Sequence, residues 1–141
     1  MASWQKLGAH RFHVEGDVVF IELHGDFGRD DAQVLWDTVI QVEQKHRHVL
    51  RVYDARDGMS MTPEARQYIS DCRKKYSPNG PDVIVGANIT LRTIVNLLQH
   101  AARIIKRPTS QVHFCATLDE VPEVLEMHRK LLRAKYTAKI R

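Results

Sequence analysis

Val49-Leu50-Arg51-Val52-Tyr53-Asp54-Ala55-Arg56-Asp57-Gly58-Met59-Ser60-Met61-Thr62-Pro63-Glu64-Ala65-Arg66 reads as a strand, a short polar loop and a helix entry in direct succession. The apolar run ends on Asp54, and Asp57-Gly58 is a turn signal. Thr62 is placed to cap a helix with Pro63 at its first position, where a missing N–H costs nothing. In open α/β sheets, ligands and phosphates gather where the carboxyl end of a strand faces a helix N-terminus. The segment thus points both to a class of fold and to the place where function would sit.

Upstream, Phe12, Val14, Val19, Ile21 and Leu23 flank the turn signal Gly16-Asp17. A two-residue turn there pairs Phe12 with Ile21, Val14 with Val19 and Arg11 with Glu22. One face becomes apolar and the other carries an opposite-charge pair, which predicts a β-hairpin over His10–His24. Between Asp30 and His46, Ala32, Leu35, Trp36, Val39 and Val42 recur at helical spacing. Asp30 and Asp31 in the first turn and Lys45 and His46 in the last suit the helix dipole.

Downstream, Ala65, Tyr68, Ile69, Cys72 and Tyr76 form the inward stripe of the helix entered at Thr62, and the cluster Ser77-Pro78-Asn79-Gly80-Pro81 ends it. Asp82-Val83-Ile84-Val85-Gly86-Ala87 reads as a short strand buried on both faces. A third helix is expected from a cap at Thr90, ending in Lys106-Arg107 before Pro108. Gln111–Ala116 is the last strand. Thr117-Leu118-Asp119-Glu120 has the form of a capping box opening a final helix, with Val121, Val124, Leu125, His128 and Leu132 inward. The order β-β-α-β-α-β-α-β-α calls for an α/β fold: a mixed β-sheet, an N-terminal hairpin followed by mostly parallel strands, covered by about four helices.

At 141 residues, the chain is long enough to bury roughly 70% of its unfolded surface around one core. One domain is expected over residues 10–133, with an N-terminal extension at 1–9 and a basic tail at 134–141. The 43% apolar and 27% charged fractions are those of an ordinary globular protein. No apolar run approaches the ~20 residues needed to span a bilayer, and Met1-Ala2-Ser3-Trp4-Gln5-Lys6 has no apolar stretch behind it. Cys72 and Cys115 are too few for a disulfide framework, so reduced thiols and a cytoplasmic setting are expected. The net charge of +4 is uneven: the first hundred residues carry 12 Lys/Arg against 13 Asp/Glu, the rest 9 against 4. The basic end, Arg129 to Arg141, has only Tyr136 as an aromatic and no recognition motif. It reads as a solvated face, with no specific nucleic acid as partner.

Quoted in order, Gly25-Asp26-Phe27-Gly28-Arg29-Asp30-Asp31-Ala32-Gln33-Val34-Leu35, Asp54-Ala55-Arg56-Asp57-Gly58, Ser60-Met61-Thr62-Pro63-Glu64-Ala65-Arg66, Val83-Ile84-Val85-Gly86-Ala87 and Val112-His113-Phe114 through Ala116-Thr117-Leu118-Asp119-Glu120 resemble the SpoIIAA-like branch of the STAS domains, the fold of the anti-sigma factor antagonists. The resemblance covers residues 10 to 128. It implies a non-enzymatic regulatory domain that binds a protein partner in anti-sigma-type signalling, and it leaves a homodimer open. In the classical antagonists a serine within Asp-Ser-Ser-Gly, at the start of the second helix, is phosphorylated by a partner kinase. This chain departs from that motif: the region holds Ser60 and Thr62, with Met61 between them and Pro63 following.

Asp54, Arg56, Asp57, Ser60 and Thr62 therefore form the one expected site, a loop for partner binding or a phosphorylation switch. The bland reading of the same residues is a helix cap at Thr62 and a turn at Asp57-Gly58. Asp54 and Asp57 would repel a phosphate unless Arg56 or Arg66 offsets them. No metal site is expected: the eight histidines are scattered, His10 and His13 point to opposite sheet faces, and His46 and His48 sit at an exposed junction. No catalytic set and no cofactor-binding loop is present, since there is neither a Gly-x-Ser-x-Gly elbow nor a phosphate loop. The alternative function is a small-molecule or lipid-binding module of the same fold. It calls for a closed apolar cavity of ~300 Å3 or more, whereas partner binding calls for an exposed apolar patch around Met59–Pro63.

Overall fold

Phe12 faces Ile21, Val14 faces Val19 and Arg11 faces Glu22 across β2 (His10–Glu15) and β3 (Val18–Glu22), the register the Gly16-Asp17 turn requires. The computed structural model describes residues 3–104 and 111–140. The hairpin is extended on one side by β1 (Gln5–Leu7), antiparallel to β2. On the other side β5 (Leu50–Asp54), β7 (Asp82–Val85) and β8 (Val112–Cys115) follow β3 in parallel. The sheet order is β1-β2-β3-β5-β7-β8. This is the mixed, mostly parallel α/β sheet expected. Gln5–Leu7 lies within the stretch read as an extension, and the last helix runs on to Ile140, within the stretch read as a tail.

One pairing was not foreseen. β4 (Gly25–Phe27) and β6 (Met59–Met61) form a separate two-stranded parallel ladder in register Gly25–Met59, Asp26–Ser60 and Phe27–Met61. The loop expected around Met59–Met61 is thus a strand, because the residues following β3 supply it with a partner. Three-residue strands carry too little alternation to be read from sequence.

The helices α1 (Arg29–His46), α2 (Pro63–Lys75) and α3 (Ile89–Ile104) connect successive parallel strands that step across the sheet in one direction. Right-handed crossovers in one direction land on one face. Ala32, Leu35 and Val39 of α1, Ala65 and Ile69 of α2, and Leu91 and Val95 of α3 accordingly share a cluster with Phe12, Val19, Ile21 and Ile84. The opposite face presents Val18, Leu50, Val52, Val83 and Val85 to Val121, Val124 and Leu125 of α4 (Val121–Ile140). His10 and His13 do point to opposite faces: His10 is buried beside the Phe27 ring, while His13 stacks on Phe20 and meets the edge of Trp4.

Several helix ends differ from expectation. The third helix is capped by Asn88, whose Oδ1 accepts the Leu91 N–H at 2.8 Å, so it begins ahead of Thr90. Its expected end at Lys106-Arg107 lies outside the described residues. Thr117 makes no side-chain cap. Glu120 instead accepts the Ala116 N–H at 2.8 Å, and a 3-10 turn over Leu118–Glu120 precedes α4. His48 is not a free surface group: half-buried, it bonds Asp17 at 2.7 Å and the Tyr136 hydroxyl at 3.0 Å. Cys72 and Cys115 are both unpaired, the latter buried.

Candidate functional site

Glu22 and Asp54 end two neighbouring parallel strands and stand opposite each other in register. Both point to the α4 side of the sheet, at the carboxyl edge where the chain leaves toward its helices. Asp54 takes a two-pronged contact from Arg56, Nε to Oδ1 at 2.9 Å and Nη2 to Oδ2 at 2.8 Å, and also accepts the Arg56 N–H. The Arg56 guanidinium holds this carboxyl below its ordinary pKa, outweighing partial burial. Of the two arginines named as able to offset these carboxylates, Arg56 is the one bound to Asp54.

The turn predicted at Asp57-Gly58 forms, with the Gly58 N–H bonded to the Ala55 carbonyl at 3.0 Å. It carries Asp57 to His24, Oδ2 to Nδ1 at 2.7 Å, and the other ring nitrogen of His24 meets Glu22 at 2.8 Å. Glu22 in turn accepts from Arg11 at 2.8 Å, and the Arg11 guanidinium lies 4.1 Å from the centre of the Trp4 ring. Hydrogen bonds to Asp57 and then Glu22 raise the His24 pKa above its usual value. The result is a solvent-facing polar notch of about 460 Å3 lined by Arg11, Glu22, His24, Asp54, Arg56 and Asp57. Its charges are mutually paired. With both ring nitrogens committed to carboxylates, His24 has none left to act as a base toward a hydroxyl.

Ser60 and Thr62 do not join this notch. Thr62 is the helix cap: its Oγ1 accepts the Ala65 N–H at 3.1 Å, and its own N–H bonds the Phe27 carbonyl at 3.0 Å. Ser60 is exposed on β6 and donates its hydroxyl to the Asp26 carboxylate across the ladder. Its neighbours Met59 and Met61 turn inward and are half-buried, lining a cavity beneath α1 and α3. The exposed apolar patch expected around Met59–Pro63 is therefore replaced by a polar rim, since alternation along a strand places Ser60 outward and both methionines inward. The five expected residues thus divide into a charged notch and a ladder-and-cap edge.

Arg11, Glu22, His24 and Asp26 belong to the site and were not singled out for it. The hairpin register placed Arg11 beside Glu22, but only the parallel pairing of β3 with β5 brings that pair to Asp54 and Asp57. Among the described residues, no three His, Cys, Asp or Glu side chains are grouped to hold a metal ion. No helix among them is long and apolar enough to cross a membrane.

No protein-family model matches the sequence, and no curated protein matches it. Among solved structures, the anti-sigma factor antagonist SpoIIAA in its unphosphorylated form is similar, with a TM-score of 0.50 over 89% of this chain and 98% of that one. The chain has a SpoIIAA-like fold. Sequence identity is 10%, so the likeness is one of backbone architecture. In this SpoIIAA-like fold the segment from Asp54 to Thr62 runs from the end of a central strand to the entry of the second helix. That is where the sequence resemblance located it.

Proposed function

We propose that this chain is a non-enzymatic STAS-type regulatory domain. It binds a protein partner through the edge formed by β4, β6 and the N-terminus of α2, in signalling of the anti-sigma type, and with Met59 and Met61 turned inward the contact is polar where an apolar one was expected. The observation that carries this reading is Ser60. It is an exposed hydroxyl on a short strand ahead of a helix entry, in a fold similar to that of an anti-sigma factor antagonist. Thr62 is occupied as a cap, which leaves Ser60 as the hydroxyl at this edge that a partner or a kinase can reach, beside the exposed carboxylates of Asp26 and Glu64. The paired charges of the neighbouring notch support docking rather than catalysis, because each ionised group already has an opposite.

Affinity capture from the native host, with quantitative mass spectrometry, tests this reading. Native chain is compared with Ser60→Asp and with an Asp57→Ala control, each checked for folding by circular dichroism. A partner retained by native chain and lost by folded Ser60→Asp supports the proposal. Identical captures by native and Ser60→Asp chains, with no phosphate on Ser60 in native material, would overturn it.

A further inference from the structure

On the helix-covered face, a cavity of about 120 Å3 lies between α1, α2, α3 and the sheet. Its walls are mostly apolar, with Trp36, Met59, Met61 and Val95 among them. One end is not apolar. Arg51 and Arg73 both converge there on a single carboxylate, that of Asp82.

The three groups are unequally satisfied. Arg51, with its side chain only 3% exposed, sits 2.8 Å from Asp82 Oδ1 and donates through Nη2 to the Gly80 carbonyl at 2.6 Å. Arg73, its side chain 28% exposed, reaches Asp82 only through one long contact of 3.4 Å; its Nε is buried with no hydrogen-bond partner, and Asp82 Oδ1, though 2.8 Å from Arg51 Nε, is not aligned to accept a hydrogen bond either. Among the described residues, two guanidiniums against one carboxylate leave one positive charge in excess, next to an apolar chamber. A buried donor without an acceptor is unfavourable by about 1–3 kcal/mol, more when it is charged, so the arrangement calls for an acceptor that carries negative charge.

From this geometry we infer that the cavity binds a small amphiphilic carboxylate: an anionic head on Arg73 and a compact apolar body among the side chains of α1, α3 and β6. The volume sets the size. An apolar cavity of about 150 Å3 accepts benzene, so this one, at about 120 Å3, suits a body of a few carbons, or a single ring once the wall gives slightly. A lipid or drug-sized ligand, which needs ~300 Å3 or more, is excluded unless the cavity expands. Two methionines in the wall give room for modest adjustment. The site faces away from the exposed hydroxyl of Ser60, so its failure would leave the partner-binding reading standing.

Benzoate is the probe, titrated into the full chain and followed by two-dimensional NMR of the Trp36 indole and the methyl groups of Met59 and Met61. Benzamide, equal in size but neutral, is the comparison. Saturable millimolar binding of benzoate is expected, at least tenfold tighter than benzamide. Arg73→Gln should abolish that difference, and Arg56→Gln, outside the cavity, should leave it intact. No saturable shift at these side chains would overturn the inference. So would benzamide binding as tightly as benzoate, a comparison that stands on the native chain even if Arg73→Gln fails to fold.

Discussion

Arg129 and Asp17 meet across 112 residues of chain: Arg129 Nη2 lies 2.8 Å from Asp17 Oδ1 and Nε lies 3.2 Å from Oδ2. The contact ties α4 to the turn of the hairpin, and His48 completes it from the start of β5 at 2.7 Å. Burial pushes the Asp17 carboxyl up, but the hydrogen bonds and charges of Arg129 and His48 together outweigh it and leave a pKa of about 2.

A carboxyl with a depressed folded pKa stabilises above its unfolded value and loses that stabilisation as pH falls toward the folded one. For Asp17 the loss runs from about pH 5 down to about 2. Asp17→Asn should therefore destabilise by about 2 kcal/mol at pH 7, with the difference from native chain shrinking below pH 4. Urea denaturation at the two pH values measures it. Equal midpoints at pH 7 would show that the contact contributes nothing net.

His24 titrates in the opposite sense. Its folded pKa is raised by Asp57 and Glu22, so their attraction is fully present below pH 6.5 and fades as pH rises through the folded value. Asp57→Asn should move the His24 ring-proton titration in NMR toward the ordinary histidine value. A titration curve unchanged by Asp57→Asn would refute the assigned contact.

Thr62→Ala removes the cap of α2 and should cost about 1 kcal/mol. Ser60→Ala loses one exposed hydrogen bond and should stay within about 0.5 kcal/mol of native. The two aspartate variants should diverge. Thr62→Asp retains a capping oxygen and places negative charge at a helix N-terminus, so it stays folded. Ser60→Asp sets a second carboxylate in register with Asp26, and like charges directly opposite are destabilising. Hydrogen exchange at the Thr62 amide, bonded to the Phe27 carbonyl, reads this directly. Faster exchange is expected in Ser60→Asp alone.

Gly80 has φ +133°, and a Cβ there would collide with the carbonyl oxygen of Val49. Backbone on one side and a left-handed conformation on the other leave no route to relax. Gly80→Ala should cost about 3 kcal/mol or more. Gly16→Ala, also at positive φ but with open space around it, should cost less than half as much. Thermal melts of the two variants test the order.

The sequence by itself determined what depends on neighbours along the chain. The hairpin register follows from the turn and the alternation on either side of it. The inward stripes of α1 and α4 follow from helical spacing, and the Thr62 cap from its position ahead of Pro63. Each of these is a short-range consequence of backbone period and local hydrogen bonding, so the residues concerned lie close together in the sequence. Tertiary structure alone decided what depends on which strands lie side by side. Arg51 and Asp82 share a face because β5 and β7 are adjacent and parallel in that register. Arg73 reaches them because the α2 crossover lies above. Asp26 found Ser60, and His24 found Asp57, across the parallel pairing of segments more than thirty residues apart. Nothing local distinguishes such partners, since a charged residue in a strand carries the same signal whether its neighbour is a carboxylate or water. Asp54, Arg56, Asp57, Ser60 and Thr62 were therefore legible in the sequence, while Arg11, Glu22, His24 and Asp26 were not. The division of the site into a paired notch, an exposed hydroxyl and a helix cap was made by the packing of the sheet.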